Sequence, residues 1–219
     1  MVLTKEIEKG FRFMSLYSYT KRYKKMPFDN RIFWNKKILF TTNGNVFLWT
    51  ETTEENPDEF SVWEVQGKNF VELKGKDKEE LKNLKLEYKV FNRYNNFGSE
   101  FEFKFNWNKS IPLPIKLCSK KQQRNNDICF FDFAHNAFIV KFSKYDEVIA
   151  TYGDFFSGMS GDIPEGFKLP FWEILELVKH TKDSVKVKVG SVKSKILGFS
   201  QFCKMSSGKW NIIAIPDNC

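Results

Sequence analysis

A chain of 219 residues, 42% hydrophobic and 28% charged, can bury a substantial core and is too apolar to remain disordered. Its net charge of +8 suits nucleic acid or an anionic surface as partner. No apolar run reaches the roughly 20 residues needed to span a bilayer. Lys5, Glu6, Glu8 and Lys9 fill the stretch where a signal peptide needs apolar residues, so an intracellular, cytoplasmic protein (or one of the host cell, if viral) with no membrane partner is expected.

Thr4 can cap a helix, with Glu6 and Glu8 facing the positive end of its dipole. Ile7, Phe11, Met14 and Tyr17 or Ser18 then recur at helical spacing, which predicts a helix over 5–24 closed by Pro27. Strands follow. Lys37 to Thr42 and Val46 to Thr50 flank Asn43-Gly44, a hairpin signal because both central residues of such a turn need positive φ. Phe60 to Val65 and Asn69 to Lys74 flank Gln66-Gly67-Lys68 as a second hairpin, after a polar acidic loop from Thr52 to Asp58.

A short helical turn is expected over Asp77 to Leu84, then a strand from Leu86 to Phe91 and a loop from Arg93 to Ser99. In Glu100 to Asn106, Phe101, Phe103 and Phe105 share one strand face and Glu102 and Lys104 the other. Strands are expected at Ile128 to Phe133, Ala137 to Phe142, Glu147 to Tyr152, Lys195 to Phe199 and Trp210 to Ile215, and Val185, Val187 and Val189 alternate with Lys186 and Lys188. Gly153 to Gly166 is rich in turn residues, and Pro170 opens a helix over 170–180 that turns Ile174, Leu177 and Val178 inward.

These elements define a mainly β (α+β) chain, with antiparallel sheets or barrels, an N-terminal helix and one later helix. Two halves are expected: 1–108, the basic helix plus hairpins, and 127–219, joined by a linker or mobile loop at 109–126. A single domain is the alternative.

Charge is distributed unevenly. Residues 1–50 hold ten Lys or Arg against three acids, whereas 51–100 hold eight against twelve. Phe (24), Lys (30) and Asn (17) make up a third of the chain, a bias that an AT-rich coding sequence produces by itself, but such a bias acts evenly and does not explain the asymmetry. Arg12, Tyr19, Lys21, Arg22, Tyr23, Lys24 and Lys25, extended by Lys120, Lys121 and Arg124 and by Lys186 and Lys188, are candidates to contact phosphates while the tyrosines stack on bases. With five Arg in the chain, backbone contact of weak sequence specificity is favoured over bidentate reading of guanine.

Pro57-Asp58 followed by Glu72-Leu73-Lys74 resembles the PD-(D/E)xK nuclease pattern. That resemblance implies a Mg²⁺ ion held by Asp58 and Glu72, with Lys74 helping to activate a water; as paired hairpin ends, the two carboxylates could converge. The pattern is cheap, since Glu80/Lys82, Glu87/Lys89 and Glu102/Lys104 repeat it, and a solvated hairpin face gives the same letters. Gly158-Met159-Ser160-Gly161 resembles the nucleophile turn of chymotrypsin-like proteases, with Asn126-Asp127-Ile128 resembling their acid segment, but no histidine precedes His135 to serve as base.

Cys118, Cys129, Cys203 and Cys219 form no C-x-x-C pair and are expected as free thiols, and with His135 and His180 they would make only an irregular zinc site. The leading expectation is a nucleic-acid-binding protein with a metal-dependent nuclease site at Asp58, Glu72 and Lys74. The alternative is a non-enzymatic β-barrel or sandwich of viral or phage type that binds a protein partner, a degenerate chymotrypsin-like barrel included.

Overall fold

Helix α1 (Lys5–Ser18) begins where Thr4 accepts the Glu8 amide at its carbonyl (2.9 Å) and the Ile7 amide at its hydroxyl (3.4 Å), which satisfies amides that a helix start leaves open. The computed structural model describes residues 3–18, 26–44, 46–85, 100–106, 127–132, 137–142, 148–151, 156–162, 168–194 and 198–214. The expected continuation of the helix to residue 24, the strand at 86–91, the loop at 93–99, the linker at 109–126 and His135 lie outside these residues. The chain divides into two compact units, Met1–Phe97 with Lys209–Ile213, and Gly98–Gly208 with Ala214–Cys219.

In the first unit, β1 (Arg31–Asn35), β2 (Ile38–Thr42), β3 (Val46–Glu51), β4 (Phe60–Gln66), β5 (Asn69–Glu72) and β14 (Trp210–Ala214) lie in the order β14-β3-β2-β1-β4-β5. Phe33 stands opposite Phe40 in one antiparallel pair and opposite Val62 in the other. Helix α1 lies against β1, β2 and β3. Its inward face, Ile7, Gly10, Phe11, Phe13, Met14 and Tyr17, is buried, with Phe11 edge-on to Trp63 and Phe70 and Phe13 edge-on to Trp210. Gly10 permits this approach, since a Cβ there would lie 3.2 Å from Leu39 Cδ1 and 3.7 Å from Trp210 Cη2. On the other sheet face Phe33, Phe40 and Phe47 stack in a row with ring centroids 4.7 and 5.6 Å apart. Helix α2 (Lys76–Asn83) follows β5 and buries Leu81 alone.

The sequence reading overlooked β1. Ile32, Phe33 and Trp34 are all buried, so the strand lacks the alternation that marks a half-exposed one. Its turn into β2 uses Lys36 at φ 50, without glycine. At Asn43-Gly44 only the glycine has positive φ (88), and the Asn43 side chain accepts the Val46 amide instead (2.8 Å).

The second unit holds the order β10 (Phe156–Gly161), β6 (Phe101–Phe105), β12 (Val185–Ser194) and β13 (Gly198–Ser207). It also holds a four-stranded sheet, β11 (Lys168–Leu169), β7 (Asp127–Asp132), β8 (Ala137–Phe142) and β9 (Val148–Thr151). Helix α3 (Phe171–Thr181) buries Ile174, Leu175, Leu177 and Val178 and lies against β7, β12 and β13. It closes on Lys182 in the left-handed region, whose amide reaches the Val178 carbonyl (2.8 Å). The expected mainly β, antiparallel architecture with an N-terminal helix is the observed one, with two later helices among the described residues where one is expected. Two assignments need correction: 156–161 forms a strand where turn residues suggested a loop, and β13 runs over 198–207 where 195–199 was expected.

Candidate functional site

Asp58 stands in an exposed turn, where its amide donates to the Asn56 side chain (3.0 Å) and its carbonyl accepts from the Phe60 amide (2.6 Å). Asn56, 2% exposed, is the buried centre of this loop, and its amide side chain donates to the Trp34 carbonyl (2.7 Å) and to Ser61 Oγ (3.0 Å). The Lys36 amide donates to the Glu59 carbonyl, the Lys36 carbonyl accepts from the Asn56 amide, and the Lys37 carbonyl accepts from the Thr52 amide. The acidic loop is thus fastened to the β1–β2 turn.

Glu72 stands opposite Trp63, and the Leu73 amide reaches the Val62 carbonyl. Phe60 therefore lies three residues, about 10 Å, further along β4, and the chain turns again at Glu59 (φ 58) before Asp58. Lys74 lies exposed past the end of β5. The register does not set Glu72 beside the start of β4, where convergence with Asp58 was expected. No group of three or more His, Cys, Asp or Glu side chains able to hold a metal occurs among the described residues. Ser160 likewise sits within β10, paired with Glu102 across a register shift, and not on a nucleophile turn.

The outward stripe of α1 carries Lys5, Lys9 and Arg12, with exposed Leu16 one turn on. Arg12 is held by Glu8, to which its Nε donates at 3.2 Å. At the helix start Glu6 is bonded by Lys209 and by Thr53 (2.9 Å), and the Thr4 hydroxyl donates to Glu54 (2.7 Å). The hydrogen bonds from Lys209 and Thr53 hold the Glu6 carboxyl below its ordinary range. Two helix-start carboxylates are thereby engaged, leaving Lys5 and Lys9 to set the sign of the open face. Tyr19, Lys21, Arg22, Tyr23, Lys24, Lys25, Lys120, Lys121 and Arg124 lie outside the described residues, so of the candidates before residue 125 only Arg12 is described.

Sequence reasoning passed over the full extent of a second basic surface, in the second unit. On the side of β12 opposite buried Val185, Val187 and Val189 stand Lys186 and Lys188, with Lys104 and Glu102 on β6 and Lys204 on β13. Lys186 and Lys188 were visible as alternation, but Lys104 and Lys204 join them only through strand register. Burial and the nearby Lys188 pull the Lys204 ammonium below its ordinary value. On the buried side, the Cys203 thiol is free and pushed well up by burial and by Glu173.

The fold is similar to that of bacterial DNA polymerase III β subunits. The β chain of Streptococcus pneumoniae TIGR4 matches over 100% of this chain and 64% of its own length, at TM-score 0.53 and 10% identity. The β subunit of Borrelia burgdorferi, solved in complex with a natural product, matches over 98% of this chain and 61% of its own, at TM-score 0.53 and 10% identity. The chain thus spans less than two thirds of the length of these neighbours. No family model matches the sequence, and no curated protein matches it.

The clamp fold overturns the expected nuclease. The predicted core over residues 5–91 required a hairpin whose ends bring Asp58 and Glu72 together, whereas these residues belong to an antiparallel sheet of clamp type in which the Asp58 loop fastens the β1–β2 turn. The hydrolase and metal-binding assignments, like the viral or phage setting, find no support in these neighbours. No helix among the described residues is long and apolar enough to cross a membrane.

Proposed function

We propose that this chain is a clamp-type, non-catalytic protein of DNA metabolism inside the cell, which holds DNA by sequence-independent backbone contacts and offers further surface to partner proteins. The observation that carries the reading is the likeness to DNA polymerase III β subunits along 98–100% of the chain. The basic outward stripe of α1 supports it, because lysines on an exposed helix face suit phosphates and need no base-specific geometry.

Duplex DNA titrated at about 50 mM salt should bind, and affinity should fall steeply by about 200 mM. Lys5→Glu/Lys9→Glu should weaken binding by about tenfold and flatten the salt slope by about two phosphate contacts. Incubation with Mg²⁺ should leave the DNA intact. Undetectable binding at low salt, or a salt-insensitive affinity, defeats the DNA-holding reading.

A further inference from the structure

The strands β10, β6, β12 and β13 turn two successive rows of side chains to one side. In one row Ser157, Lys104, Lys186 and Ser206 are register partners. In the next, Ser160, Glu102, Lys188 and Lys204 are. Neighbouring strands lie about 4.8 Å apart and the rows about 6.7 Å apart. The side chains of Lys186 and Lys188 are 57% and 41% exposed, Lys104 is exposed and Lys204 half-buried.

Two lysine pairs therefore stand directly opposite one another, Lys104 with Lys186 and Lys188 with Lys204, an arrangement that costs stability in a sheet. Within the grid Glu102 lies 3.4 Å from Lys186 and 2.7 Å from Lys188. A Lys-rich composition explains the number of lysines but not their register. The two rows together carry four lysines, one carboxylate and three serines; Ser157 also accepts from the Asn106 side chain (2.9 Å).

We propose that this face of β6, β12 and β13 is a docking site for an extended acidic peptide segment of a partner protein. The row spacing of about 6.7 Å equals the repeat of alternate side chains in an extended chain, so carboxylates two residues apart meet successive rows. Each would fall between two lysines and relieve their repulsion. Nucleic acid fits less well, since no aromatic ring stacks a base and no guanidinium forks a phosphate on this grid.

The test is fluorescence anisotropy on the full chain with a labelled peptide of about ten residues alternating Glu and Ser, in about 50 mM salt. The expected result is saturable binding that weakens with salt, no binding by the peptide with Gln for Glu, and affinity lowered by about tenfold in Lys104→Glu/Lys186→Glu. Lys68→Glu/Lys76→Glu, an equal change of charge elsewhere, should bind as the parent does. If the reversed pair fails to fold, as a thermal melt would show, Lys104→Gln/Lys186→Gln should still weaken binding by about threefold.

The proposal is overturned if the acidic peptide does not bind, or if the lysine variants bind it unchanged. It is also overturned if an oligonucleotide of equal charge binds more tightly through the same lysines. Salt-sensitive self-association lost in the lysine variants would overturn it in favour of a second copy. The titration contains no DNA, so its outcome and that of the clamp reading are separate.

Discussion

The two units solve the same problem, a sheet with a helix on it, in different ways. In the first, β2 and β3 are buried on both faces: Leu39, Thr41, Leu48 and Thr50 on one, Phe40, Phe47 and Trp49 on the other. The polar members are satisfied locally, Thr41 donating to the Arg31 carbonyl (2.7 Å) and Thr50 to the Lys209 carbonyl (3.1 Å). In the second, β12 buries Val185, Val187 and Val189 while Lys186 and Lys188 stay outside. A sheet buried on both sides is closed to partners and belongs to the core. A strand that keeps one face polar, as β12 does at Lys186 and Lys188, is stable and still available, and the inferred docking face lies there.

The largest expected effect tests the closed sheet. Phe11 is fully buried between Trp63 and Phe70, so Phe11→Ala should cost about 3–5 kcal/mol in urea unfolding, with early loss of hydrogen-exchange protection in β4 and β5. A loss below about 1 kcal/mol would mean that α1 is not a structural layer of that unit. An intermediate effect is expected at the strand edge of the second unit. Gly161 has φ 88, and a Cβ there would lie 2.1 Å from the Glu100 carbonyl oxygen, so Gly161→Ala should cost about 1–3 kcal/mol and raise exchange in β10 and β6. Wild-type stability in this variant would show that β10 is dispensable to the open sheet.

The smallest effect concerns the polar clasp of α1. Lys209 and Thr53 lower the Glu6 pKa, so the folded state binds its proton less readily than the unfolded chain. The stabilisation is fully present above the ordinary value of 4.5 and is lost as pH falls through the folded value. The pair is exposed and screened, so Glu6→Gln should cost less than about 1 kcal/mol at pH 7, and the difference from the parent should vanish in acid. A difference that persists at low pH would assign the effect to something other than ionisation.

What was legible in the sequence follows from how each element is exposed. Helix α1, β6 and β12 have one wet face and one dry face, so Ile7, Phe11 and Met14, the three phenylalanines of β6 and the valines of β12 announced them by period. Strand β1 has no wet face and was missed. The Asp58/Glu72 pattern misled because a motif gives residue types and spacing, while convergence depends on register, and Glu72 came to stand opposite Trp63.

The sequence by itself determined the mainly β character, the N-terminal helix with its buried stripe and the basic balance of the first fifty residues. These depend on local periodicity and on charge, which do not change when the chain folds. Only the tertiary structure decided the clamp-type arrangement, the structural duty of the Asp58 loop and the meeting of Lys104 and Lys204 with Lys186 and Lys188. Those depend on which strands pair and in what register, and pairing joins residues distant in sequence, Lys104 with Lys186 and Lys188 with Lys204, through backbone hydrogen bonds that carry no side-chain signature.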